Sequence, residues 1–365
     1  MNEWREVELG KVAEGVSIYR KGWQECKLGD VVVLNYGKSL PERSRKEGNI
    51  PVYSSTGITG WHNVALVSTK GLIVGRKGTI GKVYKSLTPF FPIDTAYYIL
   101  PNDESYNLDF MFYLLSNAGL EELNEDSAVP GLNRDTAYSQ NILLPPIEEQ
   151  KAIASVLSAL DDKIDLLQRQ NRTLESLAQA LFRHWFIDGA GADWEEGYLD
   201  NLVTVSSGKG LKRSNYVENG SFPVLGANGE IGRAEEYLLD EEVIFTGRVG
   251  TLGNIFISKG KVWLSDNTLI VKPKFYRQFH FVYFLLKTAH LEDLNVGSTQ
   301  PLIRQSDVKQ IEISIPPITI LERFSAQTQI LFAKIDINQS QICTLAALRD
   351  TLLPKLMSGE VRVRV

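Results

Sequence analysis

The feature that most constrains this chain is that it is written twice. Trp23 in "WQECKLGDVV" and Trp194 in "WEEGYLDNLV" lie 171 residues apart, as do Gly37-Lys38 and Gly208-Lys209. "IPVYSSTGITG" and "FPVLGANGEIG" place Pro51 and Pro223 at a spacing of 172, which Gly75 and Gly247, then Asp94 and Asp266, preserve. "DFMFYLL" from 109 and "HFVYFLL" from 280 return to 171, followed by Pro145-Pro146-Ile147 and Pro316-Pro317-Ile318. An ordered series with a single-residue slip is a tandem duplication. Its unit, near half of 365 residues, is far too long for a solenoid repeat. Whatever one half folds into, the other folds into as well.

The duplication also decides what the most conspicuous loop is not. "VGRKGTIGKVYKS" at 74–86 suggests a phosphate-binding loop, which needs Gly, four residues, then Gly-Lys-Ser/Thr. Gly81-Lys82 is followed by Val83, and the position five before Gly81 is Arg76, so both ends of the pattern fail. The copy "TGRVGTLGNIFIS" at 246–258 puts Asn254 where the lysine was. An ATP site would not discard its lysine on duplication.

Within each half the texture changes once. Short runs of Gly, Tyr, Val and Ile between turn residues predict strands and loops, with one helix over "LDFMFYLLSNAGLEEL" in the first copy and "HFVYFLLKTAHLEDL" in the second. After each Pro-Pro-Ile the period becomes three and four. Ile153, Leu157, Leu160, Ile164, Leu167, Leu174, Leu181 and Trp185 form one seam, interrupted by Asn171 and Ala178. Phe324, Leu331, Ile335, Ile342, Leu345, Leu352 and Leu356 form the other, and heptads sustained this far predict that the two helices pair with each other. Proline pairs bar helix before Ile147, while "DGAGADW" and "SGEV" supply glycine stops. The expected fold class is α+β: two similar α/β domains and two long helices forming an antiparallel coiled coil, pseudo-twofold from the duplication. The boundaries are a first domain at 1–147 (with 1–22 as an extension packed on it), a helix at 148–186, a second domain at 187–318, a helix at 319–357 and a tail at 358–365.

Composition removes several function classes. Hydrophobic content of 43% and charged content of 23% are those of a globular domain, and no apolar run is long enough to span a membrane. "MNEWREVELG" is charged from its third residue and does not read as a signal peptide, and two cysteines, Cys26 and Cys343, are too few for a disulfide framework, so a cytoplasmic location is expected. His62, His184, His280 and His290 show no metal-ligand spacing. A net charge of −5 and a pI near 5.6 oppose a freestanding nucleic-acid binder unless its basic residues share a face or partner chains supply phosphate contacts.

Domain, long helix, domain, long helix: over essentially its whole length the chain resembles the specificity (S) subunit of Type I restriction–modification systems. The motifs carrying the resemblance are "WQECKLGDVV", "VYSSTGITG", "GRKGTIGKV", "LPPIEEQKAIASVLSALDDKI" with "LESLAQALFRHWF", and "LRDTLLPKLMSGEV". The resemblance implies that each domain reads one half of a split site in double-stranded DNA. It implies that the coiled coil sets the gap and docks two modification (methyltransferase) subunits, with restriction/translocase subunits in the full complex. It implies a chain that is not an enzyme and binds no cofactor, S-adenosylmethionine, ATP and magnesium belonging to partner chains. "PPITILERF" departs from the family's helix opening, lacking the Glu-Glu-Gln of "PPIEEQ".

The residues agree with a non-catalytic role. An adenine methyltransferase needs Asn/Asp-Pro-Pro-aromatic, and "LPPI" and "IPPI" lack both the polar residue and the aromatic. Glu149-Gln150-Lys151 has a nuclease-like composition but opens a helix, and its repeat partner keeps none of it. The candidates for DNA contact lie on the duplicated loops: Lys38 and Lys209; Ser54 and Ser55 in "SSTG", with Asn228 in "GANG"; Arg76 and Lys77, with Arg248 in the copy; and Asn133-Arg134, with Gln300 and Arg304. Glycines there let backbone approach phosphate, and differing polar residues in equivalent turns suit two different half-sites. The plain alternative is that the glycines shape turns and the charges are solvated, in a coiled-coil adaptor whose twin domains bind protein. Asn171 and Asn338 are not repeat equivalents. If the helices run antiparallel the two meet near the midpoint of each helix, where a buried amide pair fixes register, with the domains at opposite ends of the rod.

Overall fold

The structure, a computed structural model, describes residues 22–123, 131–297 and 299–363. The expected extension at 1–22 falls, but for its last residue, outside the described residues. Contacts divide the chain into two compact units. One runs to Leu166 and resumes at Gln341; the other is Leu167–Ser340. The division cuts both long helices near their middles rather than at their ends.

The first unit opens with β1 (Gln24–Lys27) and the short helix α1 (Leu28–Val31), then β2 (Asn35–Tyr36), β3 (Ile50–Ser54), β4 (Gly57–His62), β5 (Gly71–Gly75), β6 (Val83–Ser86), β7 (Phe91–Pro92) and β8 (Ala96–Ile99). Helices α2 (Leu108–Ser116) and α3 (Arg134–Tyr138) precede β9 (Asn141–Leu144) and the long α4 (Ile147–Arg183). The central sheet has the order β2-β8-β5-β6, antiparallel throughout. Its strand β5, "GLIVG", is buried at every position, and an unbroken apolar run with no polar face is what such a strand requires. The hairpin β3–β4 adds β7 in parallel, and β1 pairs with β9 across the domain.

The second unit repeats this plan. After β10 (Glu195–Tyr198) come β11 (Val203–Ser207), β12 (Phe222–Gly226), β13 (Gly229–Ala234), β14 (Leu239–Asp240), β15 (Val243–Gly247), β16 (Ile255–Ser258), β17 (Lys261–Leu264) and β18 (Thr268–Pro273). Then follow α5 (Phe279–Thr288), α6 (Gln305–Lys309), β19 (Glu312–Ile315) and the long α7 (Ile318–Ser358). The sheets are β11-β18-β15-β16, β13-β12-β17-β14 and β10-β19. Even irregularities are copied: both hairpins slip register at matching points, Val52/Tyr53 and Val224/Leu225.

The long helices begin and end where proline and glycine dictate. Helix α4 starts at Ile147 and passes through a wider turn at His184–Asp188 before Gly189; α7 ends at Ser358, with Gly359 in the left-handed region (φ 71°). Every seam residue named above is buried or half-buried. In the first unit Asp161 of α4 meets Arg349 of α7, and Ile153 and Leu157 share a core with Leu356 and Met357. In the second, Asn171 meets Asn338 and Phe182 packs on Phe324. Residue numbers rise on one helix as they fall on the other, so within each unit the two helices are antiparallel. The expected asparagine pair forms: Asn338 is fully buried and its Nδ2 donates to Asn171 Oδ1 at 2.8 Å.

One sequence expectation is corrected. The helix foreseen over "LDFMFYLLSNAGLEEL" stops at Ser116, and a separate 3-10 turn follows at Leu120–Glu122 because Gly119 turns left-handed (φ 65°). Its copy α5 stops at Thr288 for the same reason, yet the left-handed residue there is His290 (φ 46°), not glycine. The three short helices α1, α3 and α6 were not foreseen; five residues or fewer leave no periodicity to read.

Candidate nucleic-acid interface

The duplicated glycine loop is built by its backbone. Gly75 has no space for a side chain, since a Cβ would meet the Thr79 carbonyl, and Gly247 meets Thr251 in the same way. Gly78 and Gly81 (φ 81° and 72°) and Gly250 and Gly253 (φ 84° and 85°) hold the left-handed turns that reverse the chain. Each loop is then latched to a segment that sequence treats as separate. Arg76 O accepts from Leu132 N at 2.8 Å, and Lys77 bridges Gly131. In the copy, Arg248 O accepts from Ile303 N at 2.9 Å, and Val249 bridges Leu302. The structure therefore brings Arg76 and Lys77 beside Asn133 and Arg134, and Arg248 beside Arg304.

In the first unit this junction is a cleft of about 320 Å³ lined by Tyr36, Arg76, Lys77, Tyr97, Asn133 and Arg134, among others. The Arg76 guanidinium lies 4.8 Å from the Tyr36 ring centre and that of Arg134 lies 5.2 Å from it. Tyr97 is buried beneath, its edge against Tyr36 at 5.1 Å, and its hydroxyl donates to Leu132 O at 3.1 Å. Burial, and then the Tyr36 hydroxyl, raise the Tyr97 pKa, which keeps it a neutral donor that ties the 131–134 segment to the sheet. Asn133 caps α3 by accepting from Asp135 N at 2.8 Å.

The other candidates divide. Lys38 and Lys209 are exposed, each fixed through its backbone N–H, to Pro92 O and Leu264 O respectively. Asn228 is exposed at the tip of the β12–β13 hairpin and accepts from Asn254 Nδ2 at 3.1 Å. Gln300 and Arg304 are exposed, Arg304 N donating to Asp307 Oδ2 at 3.0 Å. Ser54 and Ser55 are corrected: both are buried. The Ser54 hydroxyl turns onto Thr56 at 2.8 Å, and Ser55 N donates to Thr95 Oγ1. The exposed side chain of that hairpin tip is Thr56, which stands 172 residues before Asn228 and so was available from the repeat spacing. Tyr36 and Tyr97 were also missed. They lie outside the loops, and only strand pairing brings them to Arg76.

Polar residues at the helix openings prove to be structural. Glu149 is buried and accepts from both Arg362 Nε (2.7 Å) and Nη2 (2.6 Å), and from Trp23 Nε1 (3.1 Å). Gln150 accepts from Asn107 N and donates to Pro145 O, both at 2.9 Å. Among the described residues no cluster of His, Cys, Asp and Glu could hold a metal ion, and no helix is long and apolar enough to cross a membrane.

Comparison with known proteins agrees with this architecture. Residues 20–176 and 191–342 each match the Type I restriction modification DNA specificity domain, and the chain belongs to that family, carrying its domain twice. Such specificity subunits are non-catalytic, and DNA target recognition here is divided between two domains. The chain is similar to the Type I restriction enzyme MjaIX specificity subunit of Methanocaldococcus jannaschii, 27% identical over 99% of this chain and 97% of that one. It is similar also to the HindI specificity subunit of Haemophilus influenzae, 22% identical over 99% and 100%. The crystal structure of a Type I restriction–modification S subunit from M. genitalium has the same fold, with a TM-score of 0.65 at 21% identity over 95% of this chain and 98% of that one.

Proposed function

We propose that each unit reads one half of a bipartite site in double-stranded DNA through the junction of its glycine loop with the 131–134 or 302–304 segment. The observation that carries this is the repeated latch. One scaffold presents Arg76, Lys77, Asn133 and Arg134 in one copy and Arg248 and Arg304 in the other, at equivalent places with differing neighbours. A conserved frame with altered side chains suits two half-sites of different sequence. The arginines and lysines take phosphate or guanine edges, and Thr56 and Asn228 stand at the hairpin tips beside them. An acidic chain can do this because only one face meets DNA and partners add contacts.

The long helices set the gap between half-sites and dock two modification subunits, to which restriction/translocase subunits add in the full complex. S-adenosylmethionine, ATP and magnesium act in those partner chains. Inserting one heptad into each helix keeps the seam and lengthens it by about 10 Å, close to three base pairs. The unspecified gap then grows, or methylation is lost because the domains fall out of phase; methylation at the original gap would exclude a ruler. For the junction itself, Arg76→Ala or Arg248→Ala in the assembled methyltransferase should weaken DNA binding and lower the salt slope by about one. Unchanged affinity and slope for both would return the loop to a structural role.

A further inference from the structure

The cleft of the first unit contains a device that its copy lacks. Tyr36 ends β2 at the edge of the central sheet, and two guanidiniums, Arg76 and Arg134, approach its ring at 4.8 and 5.2 Å. Bringing two like charges to one ring costs repulsion that the negative face of the ring offsets only in part. Neither arginine forms an ion pair among the described residues, although the acid Asp135 lies on the rim of the same cleft. Arg76 gives one N–H to the Asp94 carbonyl at 3.1 Å, and the buried Nε of Arg134 has no partner. The cavity of about 320 Å³ is many times the space one water occupies, about 30 Å³. Two oriented guanidiniums facing an open cleft, with no ion-pair partner among the described residues, suit a tetrahedral oxyanion.

In the second unit the repeat counterparts of Tyr36 and Tyr97 are Ser207 and Leu269. Gln305 fills the place beside Ser207 at 2.9 Å, and no aromatic ring lies under Arg248 or Arg304 among the described residues. Of the two arginines only Arg76 recurs, as Arg248; the counterpart of Arg134 is Gln305, and Arg304 answers Asn133, so the second unit lacks both the platform and the second prong.

We propose that Tyr36 is a positioning residue that presents Arg76 and Arg134 as a two-pronged clamp for one DNA backbone phosphate, a device of the first unit only. The proposal rests on the reading that the first unit contacts DNA. A phosphate contact carries no base information, so the clamp strengthens binding to every sequence alike and leaves discrimination to the neighbouring loops.

The test uses the full chain assembled with its modification subunits. The probes are a duplex carrying the methylated site of the host and a duplex with the first unit's half-site scrambled, each titrated across a salt series. Tyr36→Phe keeps the ring and should match wild type. Tyr36→Ser, which installs the residue of the second copy, should weaken both duplexes equally, roughly tenfold, and lower the salt slope by about one. Arg134→Ala should do the same, and adding Tyr36→Ser to it should cost nothing more, because one clamp is removed once. The clamp is overturned if Tyr36→Ser binds as wild type does, if only the native site is weakened, or if the two losses simply add. A wild-type complex that discriminates its site while Tyr36→Ser is silent removes the clamp alone. A wild-type complex that treats both duplexes equally removes the recognition reading as well.

Discussion

Where α4 and α7 meet in the first unit, an ion pair flanks the apolar packing; at the matching place in the second unit aromatic rings stand instead. Asp161 accepts from Tyr113 Oη at 2.6 Å and pairs with Arg349 at 2.7 Å. Adding or subtracting the 171-residue repeat turns Tyr113, Asp161 and Arg349 into Phe284, Phe332 and Ala178, all three buried in one apolar cluster with Phe182, Phe281 and Phe324. Glu149, held by Arg362, likewise becomes Ile320. One backbone thus supports two chemically opposite contacts. The difference teaches something about pairing: a helix segment from one unit packed into the other would bury a carboxylate or guanidinium against phenylalanine, which penalises the wrong register.

The largest effect should separate these two contacts directly. Phe324→Ala in the aromatic cluster should cost about 3–5 kcal/mol, whereas Arg349→Ala, whose ion pair is about a third exposed on both sides, should cost about 1 kcal/mol. Denaturant unfolding with hydrogen exchange resolved by unit measures both, and equal losses would erase the distinction. Next comes the asparagine pair. Asn171→Leu leaves the buried Asn338 amide without its best partner and should cost up to about 3 kcal/mol, while Asn171→Leu with Asn338→Leu should recover all of it. A double variant no more stable than the single would show that the amides were not paired.

A pH dependence should follow from His280, whose counterpart in the first unit is Asp109. His280 is buried on Thr328 Oγ1 at 2.9 Å, and burial, then the charge of Lys259, lower its pKa from 6.5 to about 4. The folded state therefore holds fewer protons than the unfolded one between those values. The contribution is present above pH 6.5 and lost as pH falls through the window, about 2 kcal/mol between pH 7 and pH 5. His280→Gln should flatten that slope in a thermal series; an unchanged slope would assign it elsewhere. The smallest effect is the left-handed residue. His290→Gly, restoring the glycine found at Gly119, should stabilise the second unit by about 1 kcal/mol, read as a raised thermal midpoint.

What was legible in the sequence was whatever repeats or keeps a period. The duplication, the heptad seams, the glycine loops and the Asn171–Asn338 contact all follow from spacing along the chain. What was missed depends on strands that meet from afar. Tyr36 reaches Arg134 only because β2 pairs with β8 and the 131–134 segment latches to the β5–β6 loop. Ser54 and Ser55 look like solvent-facing turn residues by composition, but Ser54 is the last strand position before a tip whose outward residue is Thr56. The charged and aromatic contacts between the helices were hidden for another reason: Asp161 and its counterpart Phe332 flank the seam, one residue after Leu160 and Leu331, and so leave no mark on the periodicity that reveals it.

The central claim is that two copies of one scaffold each specify half of a target. Residues 23–147 should be exchanged for the corresponding segment of a relative with a different specificity, and the methylated sites then read by sequencing the host genome. The account predicts that one half-site changes while the other half-site and the gap are kept. If both half-sites change, or neither does, the two-reader account is wrong.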